Sequence, residues 1–387
     1  MDSSPVICDS GTGFLKIGYA SETFPKHTIP AMVGRPMLRY GQKIDDVEIK
    51  ELMVGDEAAP YRSMLELSHP VYEGIVKNWD DMSLVWGYAF DKLKIKPEET
   101  SIFMTEAVLN PLKNRYKMAE VLFEEYNFKE MQIGIQALLS LYAEGLDTGL
   151  LLDAGDGVTH CIPVVQGFIQ NHQIKRMNVA GRHLTEYLVK LLFQRGYAFN
   201  SSADFELIRE IKEKYCFVSG DLALERKLSK ETTIHEKEIR LPDNTCIKIG
   251  KERFEAAELL FNPFVGGFDY EGVSNMVFQS IQESSIDVRR QLYGSIIISG
   301  GTSMFPGFPT RLYNDLTRLY RERILKGNKQ AENKMKIKII DPPRRRYNVF
   351  IGAGIVANLY AKQPEMWVTK QEYEEYGAEK CMSKIAN

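Results

Sequence analysis

Two short segments of this 387-residue chain put carboxylates and glycines where a core strand would be expected to run on. In VICDSGTGFLKIGYA, from Val6 to Ala20, an apolar run breaks at Asp9-Ser10-Gly11-Thr12-Gly13 and resumes at Phe14. In LLDAGDGVTH, from Leu151 to His160, the break is Asp153-Ala154-Gly155-Asp156-Gly157, and the run resumes at Val158. A tight glycine turn between two strands can aim several backbone N–H groups at one point, a nest that binds phosphate oxygens without cationic side chains. Gly11, Gly13, Gly155 and Gly157 are expected to supply positive φ or room for close approach. Asp9 and Asp153 would repel phosphate, so the pattern implies a divalent cation between them. Mg²⁺ suits, since it takes few carboxylates, several waters and phosphate oxygens. Lys16 can meet a phosphate directly, and Thr12 can donate its hydroxyl to the terminal one. Asp-Gly is also a plain turn signal, so the weight lies in two copies at matched positions.

The elements that must position these turns repeat as well. SIFMTEAVLNPLKNRYKMAEVLF reads as strand, loop and helix, with Met118, Val121 and Leu122 on one face. SIIISGGTSMFPGFPTRLYNDL follows the same plan, with Leu312, Leu316 and Leu319 on the apolar face. Pro111 and Pro309 stand near the helix starts, where a missing N–H costs nothing. Each half thus supplies a strand–turn–strand hairpin and a later strand–loop–helix unit, which points to an internal duplication. Ser299-Gly300-Gly301-Thr302 ends the second of these strands, and its adjacent glycines would let a flat ligand approach.

The halves differ in their inserts. The first carries 34–68, including the polar RYGQKIDDVEIK; the second carries about 180–269. In the longer insert, GRHLTEYLVKLLFQRG predicts a helix with Leu184, Leu188, Leu191 and Leu192 at helical spacing and Gly196 as its stop. DFELIREIKEKYC predicts another, with Asp204 as N-cap. ETTIHEKEIRLPDNTCIKIG predicts a hairpin turning at Pro242-Asp243-Asn244, with Thr232 and Thr233 on its solvated edge. IGIQALLSLYA reads as an apolar helix carrying one amide, Gln136, whose partners would be a water or neighbouring backbone. Two equivalent cores with satellite inserts imply two lobes and a cleft.

Composition narrows the class. Net charge is -3 and pI about 6.2, so bulk charge argues for neither nucleic acid nor an anionic membrane. No run reaches the roughly 18 apolar residues of a membrane span, and MDSSPVICDS lacks the pattern of a signal peptide. Cys8, Cys161, Cys216, Cys246 and Cys381 are scattered, without metal-ligand spacing, which fits buried free thiols in a reducing, cytoplasmic setting.

The two hairpins and the Ser-Gly-Gly-Thr segment resemble the superfamily that joins actin with heat-shock chaperones and sugar kinases. GIVKNWDDM, IQALLSLYAEG, DAGDGVTH, MKIKIIDPPRRR and WVTKQEYEEYG narrow the resemblance to the actin family, over about Pro5 to Gly377. It implies a duplicated α/β ATPase fold: two lobes, each a mixed five-stranded sheet flanked by helices and carrying an insert, around a nucleotide cleft. The first lobe would comprise 1–31, 69–143 and 348–387 with insert 32–68; the second, 144–179 and 270–347 with insert 180–269. ATP or ADP with Mg²⁺ or Ca²⁺ would bind there. Asp9, Ser10, Gly11, Thr12, Gly13, Phe14 and Lys16 match the first phosphate loop. Asp153, Gly155, Asp156, Gly157 and Val158 match the second. Lys212 and Glu213 lie where the family contacts ribose and adenine; Gly300, Gly301, Thr302 and Met304 complete the adenosine pocket, with Arg346 beside the adenine. Gln136 and His160 match residues that position the attacking water. Asp9 and Asp153 would hold the metal, mainly through water.

Three departures qualify the match. Ala154 stands where the family usually has serine, and Arg346 where actin has lysine, which keeps the charge but not the shape. The stretch from Arg39 to Lys50 does not resemble actin's subunit-to-subunit insertion loop. Together with VEIKELMVGDEA, RGYAFNSSADFELIREIKEK, RERILKGN and DPPRRR, this favours an actin-related subunit of the multi-subunit complex that nucleates branched filaments. The implied partners are a second actin-related subunit, the other subunits, an actin filament, an incoming actin monomer and nucleation-promoting activators. A surface near Tyr142, Ala143, Gly145, Ile355 and Leu359 would serve incoming actin. Any hydrolysis would be slow and regulatory. The competing readings are a self-polymerising actin and a small-molecule kinase, which would need a base for an acceptor hydroxyl, a part Asp156 could play.

Overall fold

The strands Val6–Ser10 and Phe14–Tyr19 pair antiparallel, with Asp9 opposite Lys16. The strands Gly149–Ala154 and Thr159–Val165 do the same, with Asp153 opposite His160. These hairpins anchor two separate sheets in a computed structural model that describes residues 4–37, 50–242, 244–326 and 336–385. The chain divides into two units, Met1–Asp147 with Tyr347–Asn387, and Thr148–Arg346.

In the first unit the strand order is Val368–Thr369, Glu130–Ile135, Ser101–Glu106, Val6–Ser10, Phe14–Tyr19, His27–Pro30. Ser101–Glu106 runs parallel to both of its neighbours and is buried throughout, as expected for a parallel strand covered on both faces. The period of two is visible in the core. Val6, Cys8, Ile102 and Met104 join one cluster, with Trp86 and Phe90 of the helix Trp79–Leu93. Ile7 and Phe103 join another, with Phe350 and Ala353 of the helix Asn348–Tyr360.

In the second unit the order is Phe168–Ile169, Thr159–Val165, Gly149–Ala154, Ile296–Ser299, Ile339–Ile340, and Lys175–Met177 also pairs with Thr159–Val165. Among the described residues each core sheet therefore has six strands rather than the expected five. Lys175–Met177 lies on its hairpin as His27–Pro30 does on the first, so the additions are Val368–Thr369 and Phe168–Ile169, each two residues long and too short to carry an alternating pattern. Leu150, Leu152, Ile296 and Ile298 pack in one core with Leu312, Leu316 and Leu319 of the helix Phe308–Tyr320 and Leu184, Leu188 and Leu192 of Gly181–Gln194.

Several local expectations need correction. The helix Ser202–Tyr215 is capped by Ser201, not Asp204; Asp204 is its third residue, and its carboxylate accepts from the Ser201 N–H while Ser201 Oγ accepts from the Asp204 N–H. This is a capping box, in which each residue supplies the acceptor the other needs. Ile133 to Ile135 belong to a strand, and Gln136 opens the helix Gln136–Tyr142. Thr232 closes a helix, Leu222–Glu231, rather than edging a hairpin; its hydroxyl donates to Leu228 O at 2.7 Å. The hairpin itself is Lys237–Arg240 with Cys246–Ile249; Asp243, in its turn, lies outside the described residues. So do 39–49 and 327–335, which hold part of the sequence departures from actin. Four cysteines are buried, but Cys246 is exposed. No helix among the described residues is long and apolar enough to cross a membrane.

Candidate functional site

In the first unit, the chemistry gathers on Asp9, which is 2% exposed at the end of its strand. Its Oδ2 accepts from Lys16 Nζ at 2.7 Å, directly across the hairpin. Its Oδ1 accepts from Thr105 Oγ1 at 2.7 Å and from Gln136 Nε2 at 3.1 Å. Three donors thus serve one carboxylate, which is what a buried anion needs. Ser10 Oγ accepts from the Trp86 indole at 3.0 Å, and Thr12 Oγ1 from the Gly74 N–H at 3.2 Å. Accepting that bond leaves the Thr12 hydroxyl proton available for another acceptor. Gly13 O accepts from the Ala31 N–H, and Phe14 opens the return strand, half-buried.

In the second unit, Asp153 is half-buried and sits between His160 and Ser299 in the sheet register. His160 is 4% exposed, and its Nε2 has no hydrogen-bond partner. Burial, helped by the Arg176 guanidinium paired with it across the sheet, lowers its pKa to about 4. The imidazole is therefore neutral at pH 7, with one ring nitrogen waiting for a partner. Asp156 faces Arg182 at 3.6 Å. Gly155 O and Asp156 O accept from the Gly181 and Arg182 N–H groups, the first turn of the helix Gly181–Gln194. Gly155 O also accepts from Thr302 Oγ1 at 2.6 Å. Lys212 is buried, and its Nζ donates to Gly181 O at 2.6 Å; burial pulls its pKa down against the raising influence of Asp156.

The second unit therefore brings Asp153, Gly155, Asp156, Lys212, Gly300 and Thr302 into one connected cluster. Val158 closes its turn, and Met304 ends the short helical turn Gly301–Met304. Glu213 is exposed and pairs with Arg209 at 3.0 Å. Arg346 is exposed. Its neighbour Arg345 is the buried one, bonded to Ser303 O at 2.9 Å and to the carbonyls of Asp341 and Pro342.

The glycines act differently from expectation. Gly11 and Gly155 are not left-handed, and their N–H groups close the turns on Phe14 O and Val158 O, both at 3.1 Å. Those two donors are spent on the hairpin, so any nest must use the residues between. Gly300 has the positive φ, +88°, and a Cβ there would lie 2.2 Å from Ala154 O. It serves the approach of the chain's own backbone.

Sequence reasoning missed Thr105, Arg182 and Arg345. A signal for Thr105 was present: aligning SIFMT with SIIIS sets Thr105 level with Ser299, beside the aspartates of their hairpins. Arg182 and Arg345 carry no such mark.

With this geometry in hand, comparison with known proteins is decisive about kinship. A family model described as Actin matches residues 1–386. The chain belongs to the actin family. It is 51% identical over 378 residues to actin-related protein 2 of Acanthamoeba castellanii, covering 97% of each chain. It is 50% identical over 386 residues to actin-related protein 2 of Oryza sativa subsp. japonica, covering 99% of each. It is 47% identical over 378 residues to actin-related protein 2 of Schizosaccharomyces pombe, covering 97% of each.

The actin family is nucleotide-binding, and the residues of this actin-family chain suit such a group. An orphaned nitrogen on a buried imidazole, a lysine at a glycine turn and a threonine hydroxyl with a spare proton are complementary to phosphate or water. No group of three His, Cys, Asp or Glu among the described residues could cage a metal. A divalent cation would thus rely on waters and phosphate oxygens, as Mg²⁺ does.

Proposed function

We propose that the chain is an ATP-binding, actin-related subunit of a filament-branching complex in the cytoplasmic actin cytoskeleton. The observation that carries this is the pair of hairpins in matching register, Asp9 opposite Lys16 and Asp153 opposite His160, in a chain similar over nearly its full length to proteins named actin-related protein 2. ATP or ADP would be held by Lys16, Thr12 and the backbone of both turns. The adenosine would lie against Lys212, Glu213, Gly300 to Met304 and Arg346. Asp9 and Asp153 would hold Mg²⁺ or Ca²⁺ through water. Bound nucleotide neutralises the phosphate loops and rewards the conformation in which both contribute, so ATP would bias closure. Gln136 and His160 would position a water for slow, regulatory hydrolysis. Within the two units we keep 32–68 and 180–269 as inserted subdomains.

In this reading the subunit pairs with a second actin-related subunit and the rest of the complex, responds to activators, and offers incoming actin a filament end on the side of an existing filament. Ile355 is 42% and Leu359 62% exposed on the helix Asn348–Tyr360, beside Tyr142 on the helix that packs against it. They would form part of that surface.

The test is a reconstituted complex with Asp9→Ala or Lys16→Ala in this subunit, scored for branches on pre-formed filaments. Mg²⁺-dependent ATP binding, assembly retained and branching reduced at least about tenfold are expected, the loss of one charge-assisted contact being of that order. Full branching by a nucleotide-free subunit, or filaments of the purified chain alone, would overturn the reading; the latter would favour a self-polymerising actin.

A further inference from the structure

The cluster around Asp9 has a direction. An ionised carboxylate only accepts, so Thr105 spends its single hydroxyl proton on Asp9 Oδ1, 2.7 Å away. Thr105 Oγ1 then meets Gln136 as an acceptor, with the Nε2 donor at 3.2 Å. Nε2 also donates to Asp9 Oδ1 at 3.1 Å, so the amide nitrogen faces both oxygens. Reversing the amide would set Oε1 against a carboxylate oxygen, acceptor against acceptor, beside a buried charge. The amide nitrogen is thereby committed inside the cluster. Oε1 is the atom of Gln136 that the cluster does not use, and it can only accept.

We propose that Thr105 is a positioning residue, which locks the Gln136 amide so that its oxygen, not its nitrogen, is offered to a water near the bound terminal phosphate. The inference rests on the nucleotide reading above. A hydroxyl is required because one atom must donate to Asp9 and accept from Gln136 at once. Threonine adds a stiff χ1, and the site is closed, with Thr105 2% exposed on a fully buried strand. At the matching place in the second sheet, Ser299 lies opposite Asp153, and its hydroxyl donates to Arg345 O at 3.5 Å.

The experiment uses the full chain with Thr105→Val, Thr105→Ser, Gln136→Ala and Thr105→Val/Gln136→Ala. In nucleotide-free protein labelled with ¹⁵N-glutamine, the Gln136 amide pair is the one missing from Gln136→Ala. In Thr105→Val that pair should shift and exchange with water at least about tenfold faster, having lost one protecting partner. Thr105→Ser should restore it. With Mg²⁺-ATP, Thr105→Val should keep the dissociation constant within about threefold while single-turnover phosphate release falls at least about tenfold, the mark of a misplaced group rather than lost binding. In the Gln136→Ala background it should add almost nothing. If Thr105→Val does not fold, Thr105→Ala, which also lacks the hydroxyl, gives the same readings. An unchanged amide pair in a folded hydroxyl-less variant overturns the lock, and additive losses overturn action through Gln136. A wild type that binds ATP but releases no phosphate overturns the role toward water and leaves nucleotide binding standing. A wild type that binds no ATP overturns the proposed function and the water role with it.

Discussion

The two hairpins share a register and differ in charge. In the first, Asp9 faces Lys16, and the buried carboxylate is met by an ammonium, a hydroxyl and an amide. In the second, Asp153 faces His160, which burial keeps neutral, and the cations lie further along the turn at Arg182 and Lys212. Duplication preserved the backbone because strand pairing depends on main-chain hydrogen bonds, which any side chain permits. It did not preserve the electrostatics, because a single cross-strand position decides whether the pair is an ion pair or a carboxylate beside a neutral ring. One hairpin thus holds a buried ion pair, the other a neutral ring across from its carboxylate.

The strongest way to break that comparison is to remove the first hairpin's cation. Lys16→Met leaves the Asp9 carboxylate buried without its ion pair, and should cost about 4 kcal/mol by urea unfolding, in the range for breaking such pairs. Asp9→Asn in the same chain should recover most of the loss. If Lys16→Met alone is neutral in stability, the first hairpin is not organised around a buried charge pair.

The second hairpin should reveal itself by pH. The folded pKa of His160 lies below its unfolded value, so its neutral form contributes stability that is complete above about pH 6.5. That contribution is lost as pH falls toward about 4. The full loss is about 3 kcal/mol for a shift of this size. Unfolding free energies between pH 7.5 and 4 should therefore fall less steeply in His160→Gln than in the wild type. Identical slopes would show that His160 is not held neutral by burial.

The smallest contrast concerns the turns themselves. A Cβ on Gly11 would lie 2.9 Å from Phe14 O, whereas one on Gly155 would lie 3.5 Å from Val158 O, an ordinary contact. Gly11→Ala should thus lower the unfolding free energy more than Gly155→Ala in urea titrations, by a difference of about 1 kcal/mol at most for a neighbour that must give way. Equal effects would mean that the first turn relaxes as readily as the second.

Most of what is local is legible in the residues themselves. The hairpins, the strand–loop–helix units with Leu312, Leu316 and Leu319, and the helix stopped by Gly196 all follow from periodicity and turn residues within about twenty positions. The errors are local too, but they are competitions between near-equal signals. Ser201 beat Asp204 because a hydroxyl at the cap lets the carboxylate three residues on return the bond. Ile133 to Ile135 read as helix because a short apolar run has no period of its own; their parallel pairing with Ser101–Glu106 made them a strand.

By itself, then, the sequence determined which segments pair with their neighbours and that two acidic glycine turns end two core strands. Tertiary structure alone decided what those turns are made of electrically. Thr105 and Gln136 reach Asp9 from positions 96 and 127 residues away in the chain. Gly300 owes its backbone to the carbonyl of Ala154, which no local pattern announces. His160 is neutral because the sheet and its helices exclude water from it and Arg176 lies across the strand. Hydrogen bonds and desolvation act through space, over a few ångströms, and residues far apart in sequence share that space only after the sheets have formed.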